Sequence, residues 1–306
     1  MASMRGLNLS RALAALAVAG GLALLSAGSA LAAADPLAAV PVAAPQAAAP
    51  AAIELRLSFA PGEERRYGYD MHVTYAVPGQ GDMAMDMAMQ LAYRVLEVHA
   101  DQSATVRVTI DRAVLSLLGQ TMDVPDVAGL SVRARVQPNG AVTEAALEGA
   151  DGGLTGFGNP AAVEADNFAR GLLMVDYPSQ PLAVGDSFER QFRFNNLSMS
   201  SELMPMTLQS RLSLQELSVE NGQQVARLAE TVSMSLADLA GMLDLRDLGV
   251  EMSGNIAGGA THLVDVASGW PVSGDAQLAM TMVLTSPDLP ESITLNAVLA
   301  AAYRLQ

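Results

Sequence analysis

Apolar residues alternate with polar or small ones along much of this chain, and this two-residue period is the feature that most restricts its fold. Between Gly81 and Val95 the sequence reads GDMAMDMAMQLAYRV, with methionine at four successive alternate positions. Successive side chains of a β-strand point to opposite faces, so the pattern gives one apolar and one polar face. The same period recurs at 67–75, 106–110, 278–284 and 293–303. The chain is therefore predicted to consist mainly of strands.

Short polar links between these strands predict how they pair. VPGQGD and HADQSA separate the first three strands, and links of this length join antiparallel neighbours. We expect about a dozen strands, and a sheet of that width must curl. The predicted fold class is therefore mainly β: a large curved antiparallel sheet, or half-barrel, with one main helix covering it.

The covering helix is predicted in the segment that joins the two halves of the chain. Asn159 can act as its N-cap and Pro160 can occupy its first position, while Arg170 lies near its end at Met174. A shorter helical segment, SLADLAGMLDL, is predicted at 235–245.

The second half of the chain repeats the pattern of the first half. Aligning 85–106 with 204–225 without a gap pairs Met87 with Met206, Val95 with Leu214, Glu97 with Glu216 and Val106 with Val225. GEERRYGY (62–69) similarly resembles GDSFERQF (185–192), and VQPNGAV resembles VASGWPV. These matches indicate two copies of one multi-stranded unit.

The predicted organisation has three parts. They are a signal peptide at 1–34, an Ala/Pro-rich tether at 35–52 and a single β-rich domain at 53–306. Within the domain, the two repeats would cover about 53–147 and 185–306, joined by a Gly-rich loop and helix at 148–184.

The N-terminus has the layout of a secretory signal peptide. Arg5 and Arg11 precede an apolar run that ends in small residues, and cleavage after Ala32 or Ala34 fits the Ala-x-Ala rule. An uncleaved anchor is the alternative, because the apolar run is nearly long enough to cross a bilayer. Its weak hydrophobicity favours cleavage. We therefore expect an exported protein, periplasmic or extracellular, with no integral membrane span after cleavage.

Charge and residue types exclude several kinds of chemistry. The formal net charge is −15, so the surface repels phosphate backbones and nucleic-acid binding is not expected. The chain has no cysteine, and all 17 of its basic residues are arginine. Disulfides, thiolate chemistry and Schiff-base chemistry are therefore excluded.

The sequence contains no recognisable catalytic motif. Its three histidines, His72, His99 and His262, form no HExxH motif, and no GxSxG motif occurs. GGLTGFGNP lacks the GxGxxG spacing of a dinucleotide-binding loop. We therefore expect no enzyme activity, no catalytic residues and no cofactor.

The methionine row has two interpretations. Thioether sulfur is a good Cu(I) ligand, but no second soft cluster with His or Cys accompanies the row. His72 is expected on the opposite face, beside Asp86. We favour a buried core or cavity wall, because methionine readily fills irregular apolar space, and we predict no metal site.

The burial pattern also predicts the register across the VPGQGD turn. A shift of one residue between the two strands would place the aspartates of the second strand on the same face as the tyrosines of the first. The register must therefore put the apolar side chains of both strands on one face. We expect Met87 opposite Met71 and Met85 opposite Val73.

Three motifs carry a family resemblance. GEERRYGY, GDSFERQF and the DVASGWP turn (265–271) resemble exported bacterial β-rich proteins that are distantly related to periplasmic lipoprotein carriers of the LolA and LolB type. The resemblance covers 53–306 in pattern. It implies a strongly curved antiparallel sheet that cradles acyl chains under helices.

Together these features predict a non-enzymatic envelope protein that holds a lipid, an acyl chain or a lipidated partner in an apolar groove. The residues expected to line the groove are Met71, Met85, Met87, Leu91, Met206, Leu208, Met280 and Met282. A structural protein that binds another envelope protein is the alternative, and Cu(I) binding is a lesser one. An adaptable core without a guest would show the same pattern.

Overall fold

The described part of the chain is all β. The computed structural model describes residues 52–77, 81–117, 119–124, 127–148, 176–197, 203–236, 251–285 and 292–306. These residues form twelve strands: β1 (Glu64–Val77), β2 (Gly81–Val98), β3 (Ala104–Leu117), β4 (Gln120–Asp123), β5 (Ser131–Val136), β6 (Val142–Glu148), β7 (Ser187–Leu197), β8 (Leu203–Glu220), β9 (Gln223–Ser235), β10 (Glu251–Asp265), β11 (Pro271–Thr285) and β12 (Ile293–Leu305).

All twelve described strands belong to one antiparallel sheet. Its order is β6-β5-β3-β2-β1-β12-β11-β10-β9-β8-β7, and β4 pairs with β3 outside this path. The sheet is open, with β6 and β7 as the edges of this path among the described residues. The first and last strands, β1 and β12, are neighbours near its middle, so they join the two halves.

The mainly β, antiparallel prediction is confirmed, but the covering helix is wrong. No helix occurs among the described residues, and the inner face is covered in another way. Apolar side chains from both halves pack into one core cluster, which also includes Leu55, Leu57, Tyr177 and Leu182 from segments outside the strands. The segment predicted as the main helix, 160–174, lies outside the described residues.

Other predictions fall wholly or partly outside the described residues. Residues 1–51, which include the predicted signal peptide and most of the tether, are among those not described, as are 237–245 of the shorter helical candidate. Ser235, the first residue of that candidate, ends β9. In the described ranges there is no helix with the length and hydropathy needed to cross a bilayer. The predicted domain boundaries stay a prediction.

The alternation in β2 produces a buried face and an exposed face. Met85, Met87, Met89 and Leu91 are between 1% and 8% exposed, while the residues between them face solvent. In the pairing of β1 with β2, Met87 lies opposite Met71 and Met85 opposite Val73. The predicted register is therefore confirmed.

The two halves share a backbone irregularity. In the first half the pairing of β2 with β3 shifts between Val95 and Glu97. In the second half the pairing of β8 with β9 shifts between Leu214 and Glu216, at the positions that the sequence alignment pairs with Val95 and Glu97. The backbone N–H of Gly62 donates to the carbonyl of Val95 (2.9 Å), and that of Gly185 donates likewise to Leu214 (2.8 Å).

Past these two register shifts, aligning the halves without a gap no longer matches residues that occupy equivalent positions in the strand pairings. Val95 pairs with Val106, whereas Leu214 pairs with Leu228, so Leu228 and not Val225 is the counterpart of Val106. The reason is the hairpin loop. Residues 99–103 separate the last paired residues of β2 and β3, but only 221 and 222 separate those of β8 and β9.

Two segments outside the strands close one end of the sheet. We call residues 52–60 the first strap and residues 176–183 the second strap. Ile53 and Leu182 join them through two backbone hydrogen bonds of 2.8 Å. Leu57 of the first strap donates to Pro138 (2.6 Å), and Tyr177 of the second donates to Asn139 (2.7 Å). Both straps therefore lie across the turn between β5 and β6.

Replacing Leu214 by alanine should destabilise the domain by about 2–5 kcal/mol, because its fully buried side chain would leave a cavity. The matched control is Val219→Ala on the same strand, where the valine is 71% exposed and the expected change is within about 0.5 kcal/mol. Urea unfolding of both variants measures the difference. Equal effects would contradict the burial of Leu214 in the core.

Candidate functional site

The inner face carries a polar cluster that interrupts its apolar surface. Arg190, Ser210, Glu230, His262 and Tyr303 lie on β7, β8, β9, β10 and β12, respectively. Ser210, Glu230 and His262 are the buried polar residues of the described strands, and the Arg190 side chain is only 8% exposed. We call these five residues the inner polar cluster.

Alternation places these side chains on the inner face. Glu230 occupies the same phase of β9 as the buried residues Leu228 and Val232. His262 occupies the same phase of β10 as the buried residues Ala260 and Val264. The two-residue period, which elsewhere buries apolar groups, therefore buries an acid and a histidine here.

Hydrogen bonds connect the cluster into a chain. Arg190 Nη2 lies 2.5 Å from Glu230 Oε1, and the Ser210 hydroxyl donates to the same oxygen. His262 Nε2 lies 3.1 Å from Glu230 Oε2, and its Nδ1 lies 2.9 Å from the Tyr303 hydroxyl oxygen. A carboxylate only accepts, so Nε2 donates to Glu230. With Nε2 as the donor, Nδ1 of the neutral ring accepts the hydrogen bond that the Tyr303 hydroxyl donates.

A glycine allows Tyr303 to reach His262. Gly274 on β11 lies directly between them, because it pairs with His262 on one side and with Tyr303 on the other. A Cβ atom at Gly274 would lie 2.4 Å from the Tyr303 ring. The tyrosine can cross β11 only because this position has no side chain.

Opposing effects determine the ionisation of Glu230. Burial acts to raise its pKa, but the combined effect of the Arg190 charge and the interactions with His262 and Ser210 is larger, so the pKa falls to about 2. Burial raises the pKa of Tyr303 well above its ordinary value. At neutral pH Glu230 is therefore ionised and paired with Arg190, while Tyr303 is protonated.

The first half of the sheet has apolar counterparts at the same ladder positions. Arg190 on β7 lies opposite Ser210 on β8. The equivalent strands of the first half are β1 and β2, where Tyr67 lies opposite Leu91. By the same registers Glu230 corresponds to Val108 and His262 to Ala134. Tyr67, Leu91, Val108 and Ala134 are all buried. This sheet can therefore fill these positions with apolar groups, as buried ion pairs often can be replaced.

The structure brings only some of the predicted groove residues together. Met71, Met85 and Met87 lie on the neighbouring strands β1 and β2, while Met280 and Met282 lie on β11, beyond β12. Met71, Met85, Met87, Leu91, Leu208 and Met282 are buried, and Met280 is half-buried. Leu208 and Met206 belong to β8, three strands beyond β11, and the side chain of Met206 lies outside the described residues. Their role in binding a ligand stays a prediction.

A row of small residues connects the methionines with the inner polar cluster. Met71 lies opposite Ala301, which lies opposite Ala276. Ala276 lies opposite Ala260, and Ala260 lies opposite Glu230. The inner face thus has methionine on one side, alanine in the middle and charge on the other side.

A small cavity and an open trough adjoin the described strands. One, of about 10 Å³, lies between the second strap and the inner polar cluster and includes Tyr177, Arg190, His262 and Tyr303 among its lining residues. It can hold about one water molecule. The other, of about 640 Å³, is an open trough whose lining is mostly outer-face residues of five strands, from β11 to β3.

The outer trough contains the predicted neighbours His72 and Asp86. His72 Nδ1 lies 2.6 Å from Asp86 Oδ1, and both side chains are exposed. Within the described ranges, no group of three or more His, Cys, Asp or Glu is arranged to hold a metal ion.

Sequence reasoning missed the inner polar cluster, although a signal was present. Glu230 stands in the apolar phase of LAETVSM, and a charged residue in that phase has to be buried with a partner. His262 belongs to no catalytic motif, so its place in the cluster had no comparable signal. The partner Arg190 could not be identified, because it lies 40 residues from Glu230.

No protein-family model and no curated protein match the sequence. Among solved structures, the chain is similar to DynF from the dynemicin biosynthesis pathway of Micromonospora chersina, with 10% identity over 88% of this chain and 92% of that one and a TM-score of 0.18.

Two further structures show comparable similarity. A LolA superfamily protein from Nitrosomonas europaea has 7% identity over 79% of this chain and 86% of that one, with a TM-score of 0.13. The β domain of the Bordetella autotransporter BrkA has 11% identity over 79% and 98%, with a TM-score of 0.19. Scores this low carry no argument about fold or function.

Replacing Glu230 by glutamine should destabilise the protein by about 3–5 kcal/mol at pH 7, because the buried Arg190 guanidinium would lose the carboxylate that it contacts at 2.5 Å. The folded-state pKa of about 2 lies below the ordinary value of 4.5. The stability that ionised Glu230 contributes is therefore complete above pH 4.5 and is lost as the pH falls through about 2. Between pH 7 and pH 2, urea unfolding should show a smaller decrease in the free energy of unfolding for the variant than for the unchanged protein.

Asp86→Asn is the matched control, since Asp86 is an exposed acid that also contacts a histidine. Its expected cost is at most about 1 kcal/mol. A Glu230→Gln variant as stable as this control at pH 7 would contradict the account of the inner polar cluster.

Proposed function

We propose that this is an exported, non-enzymatic protein that binds a hydrophobic ligand, either a lipid or the acyl chain of a lipidated partner, against its methionine-rich inner face. The supporting observation is that Met71, Met85 and Met87 point to the same face from two neighbouring strands. Met280 and Met282 extend this surface on β11. The export part of the proposal rests on the N-terminal sequence.

The chemistry of methionine supports a surface that rearranges around a guest. The methionines are packed in the core, so a ligand has to displace them. An unbranched thioether side chain has several low-energy rotamers and can repack more easily than a β-branched one. A wall of methionine is therefore suited to a ligand without a fixed shape.

The dimensions of the inner face suit an acyl chain. Four strand spacings separate Met71 from Glu230, which is about 19 Å across the sheet. Alanine occupies the three intermediate positions, so the surface is shallow between the methionines and the charge. A long acyl chain of comparable length could lie along this row.

The test is titration of the delipidated mature protein with a fluorescent fatty acid. We expect saturable uptake. The double variant Met71→Ile, Met87→Ile should bind about tenfold more weakly, because β-branched side chains keep the apolar volume but lose the freedom to repack. Met122→Ile, at a position that is 47% exposed on β4, is the control and should bind like the unchanged protein.

Uptake that does not saturate, or equal affinities for all three proteins, would contradict binding at the methionine face. Native mass spectrometry of protein extracted from its own envelope gives an independent measurement, since a bound lipid adds a discrete mass.

A further inference from the structure

The second strap lies over the inner polar cluster and is fastened to it. Arg190 Nη1 donates to the carbonyl of Asp176 (2.9 Å), so the same guanidinium binds both Glu230 and the strap. The Tyr177 hydroxyl donates to the carbonyl of Gly269 (2.7 Å), in the turn between β10 and β11. The cavity of about 10 Å³ lies beneath these contacts.

The two straps are held by different amounts of apolar burial. The first strap buries Leu55 and Leu57, and its Phe59 ring packs edge-on against Trp270 at 6.0 Å. The second strap buries Tyr177 and Leu182, while residues 179–181 between them are exposed. Hydrophobic stabilisation is proportional to the apolar area removed from water, so the second strap is the more easily displaced.

The inner face also favours opening at the second strap. Water that enters there reaches Arg190 and Glu230, whose hydration offsets part of the cost of exposing apolar surface. The ladder positions of Arg190 and Glu230 are filled in the first half by Tyr67 and Val108, which gain far less from water. Opening between strands would instead break a ladder of backbone hydrogen bonds.

We infer that the second strap is the entrance of the protein, through which an amphiphile with a single acyl chain reaches the inner face. This inference rests on the proposed function and adds the route to it. The strap lifts away from Arg190 and the turn at Gly269. The acyl chain then passes the inner polar cluster and follows the alanine row toward Met71.

A reversible lock tests this route. The chain contains no cysteine, so the double variant Ile53→Cys, Leu182→Cys introduces one defined pair. These residues form a doubly hydrogen-bonded antiparallel bridge, whose Cα atoms are typically about 5.5 Å apart and suit a disulfide. Uptake of a fluorescent fatty acid is followed by stopped flow before and after reduction with dithiothreitol.

We expect the oxidised protein to lose uptake and the reduced protein to recover it. Equal uptake rates in both states would overturn the entrance at the second strap and leave the proposed function standing. If neither the reduced variant nor the unchanged protein takes up the fatty acid, the proposed function itself fails, and the inference fails with it.

A second pair of variants tests the strap without a cross-link. Tyr177→Phe removes the hydrogen bond to Gly269, and uptake should become about fivefold faster while the equilibrium affinity changes little. Tyr67→Phe removes another buried tyrosine hydrogen bond, to Pro271, outside the strap, and should leave the rate unchanged. Equal rates for the two variants would contradict the inference.

Discussion

The pairing of β1 with β12 is the interaction on which the rest of the structure depends. It extends from Tyr67 opposite Leu305 to Ala76 opposite Asn296 and joins the two halves into one sheet. Because the register is antiparallel and in phase, Met71 meets Ala301 on the inner face. The continuous row from the methionines to Glu230 exists only through this contact. A shift of one residue here would move the inward-facing side chains of β12 to the outer face and divide the core.

A charged cluster inside an otherwise apolar face is the second constraint. The first half of the sheet shows that tyrosine, leucine, valine and alanine can occupy the same ladder positions, so the ion pair of Arg190 and Glu230 is not a requirement of the architecture. Its energetic effect is local: it makes the inner face easier to hydrate at one end. That end is also where the second strap is bound by Arg190. In the proposed route, local stability and access to the methionine face are thereby coupled.

Much of the sheet could be predicted from the sequence, but the site could be predicted only in part. The strands, the opposition of Met87 to Met71 and the pairing of His72 with Asp86 follow from local alternation and a short turn. The covering helix was wrong, because side chains of both halves and the two straps cover the core of the described residues. The equivalence of Val106 and Val225 was wrong as well, because hairpin loops of different length shift a ladder without changing the alternation on either side.

The sequence by itself determined which side of each strand is buried, because a period of two is a local property of extended backbone. It also contains Glu230 and His262 in the same phase as the apolar residues around them, a signal that is readable only in retrospect. Only the tertiary structure decided which strands are neighbours, and therefore that Arg190, Glu230, His262 and Tyr303 would meet. The physical reason is that ladder hydrogen bonds form between backbones, which carry no sequence information. Pairing of distant segments thus depends on the packing of the whole inner face.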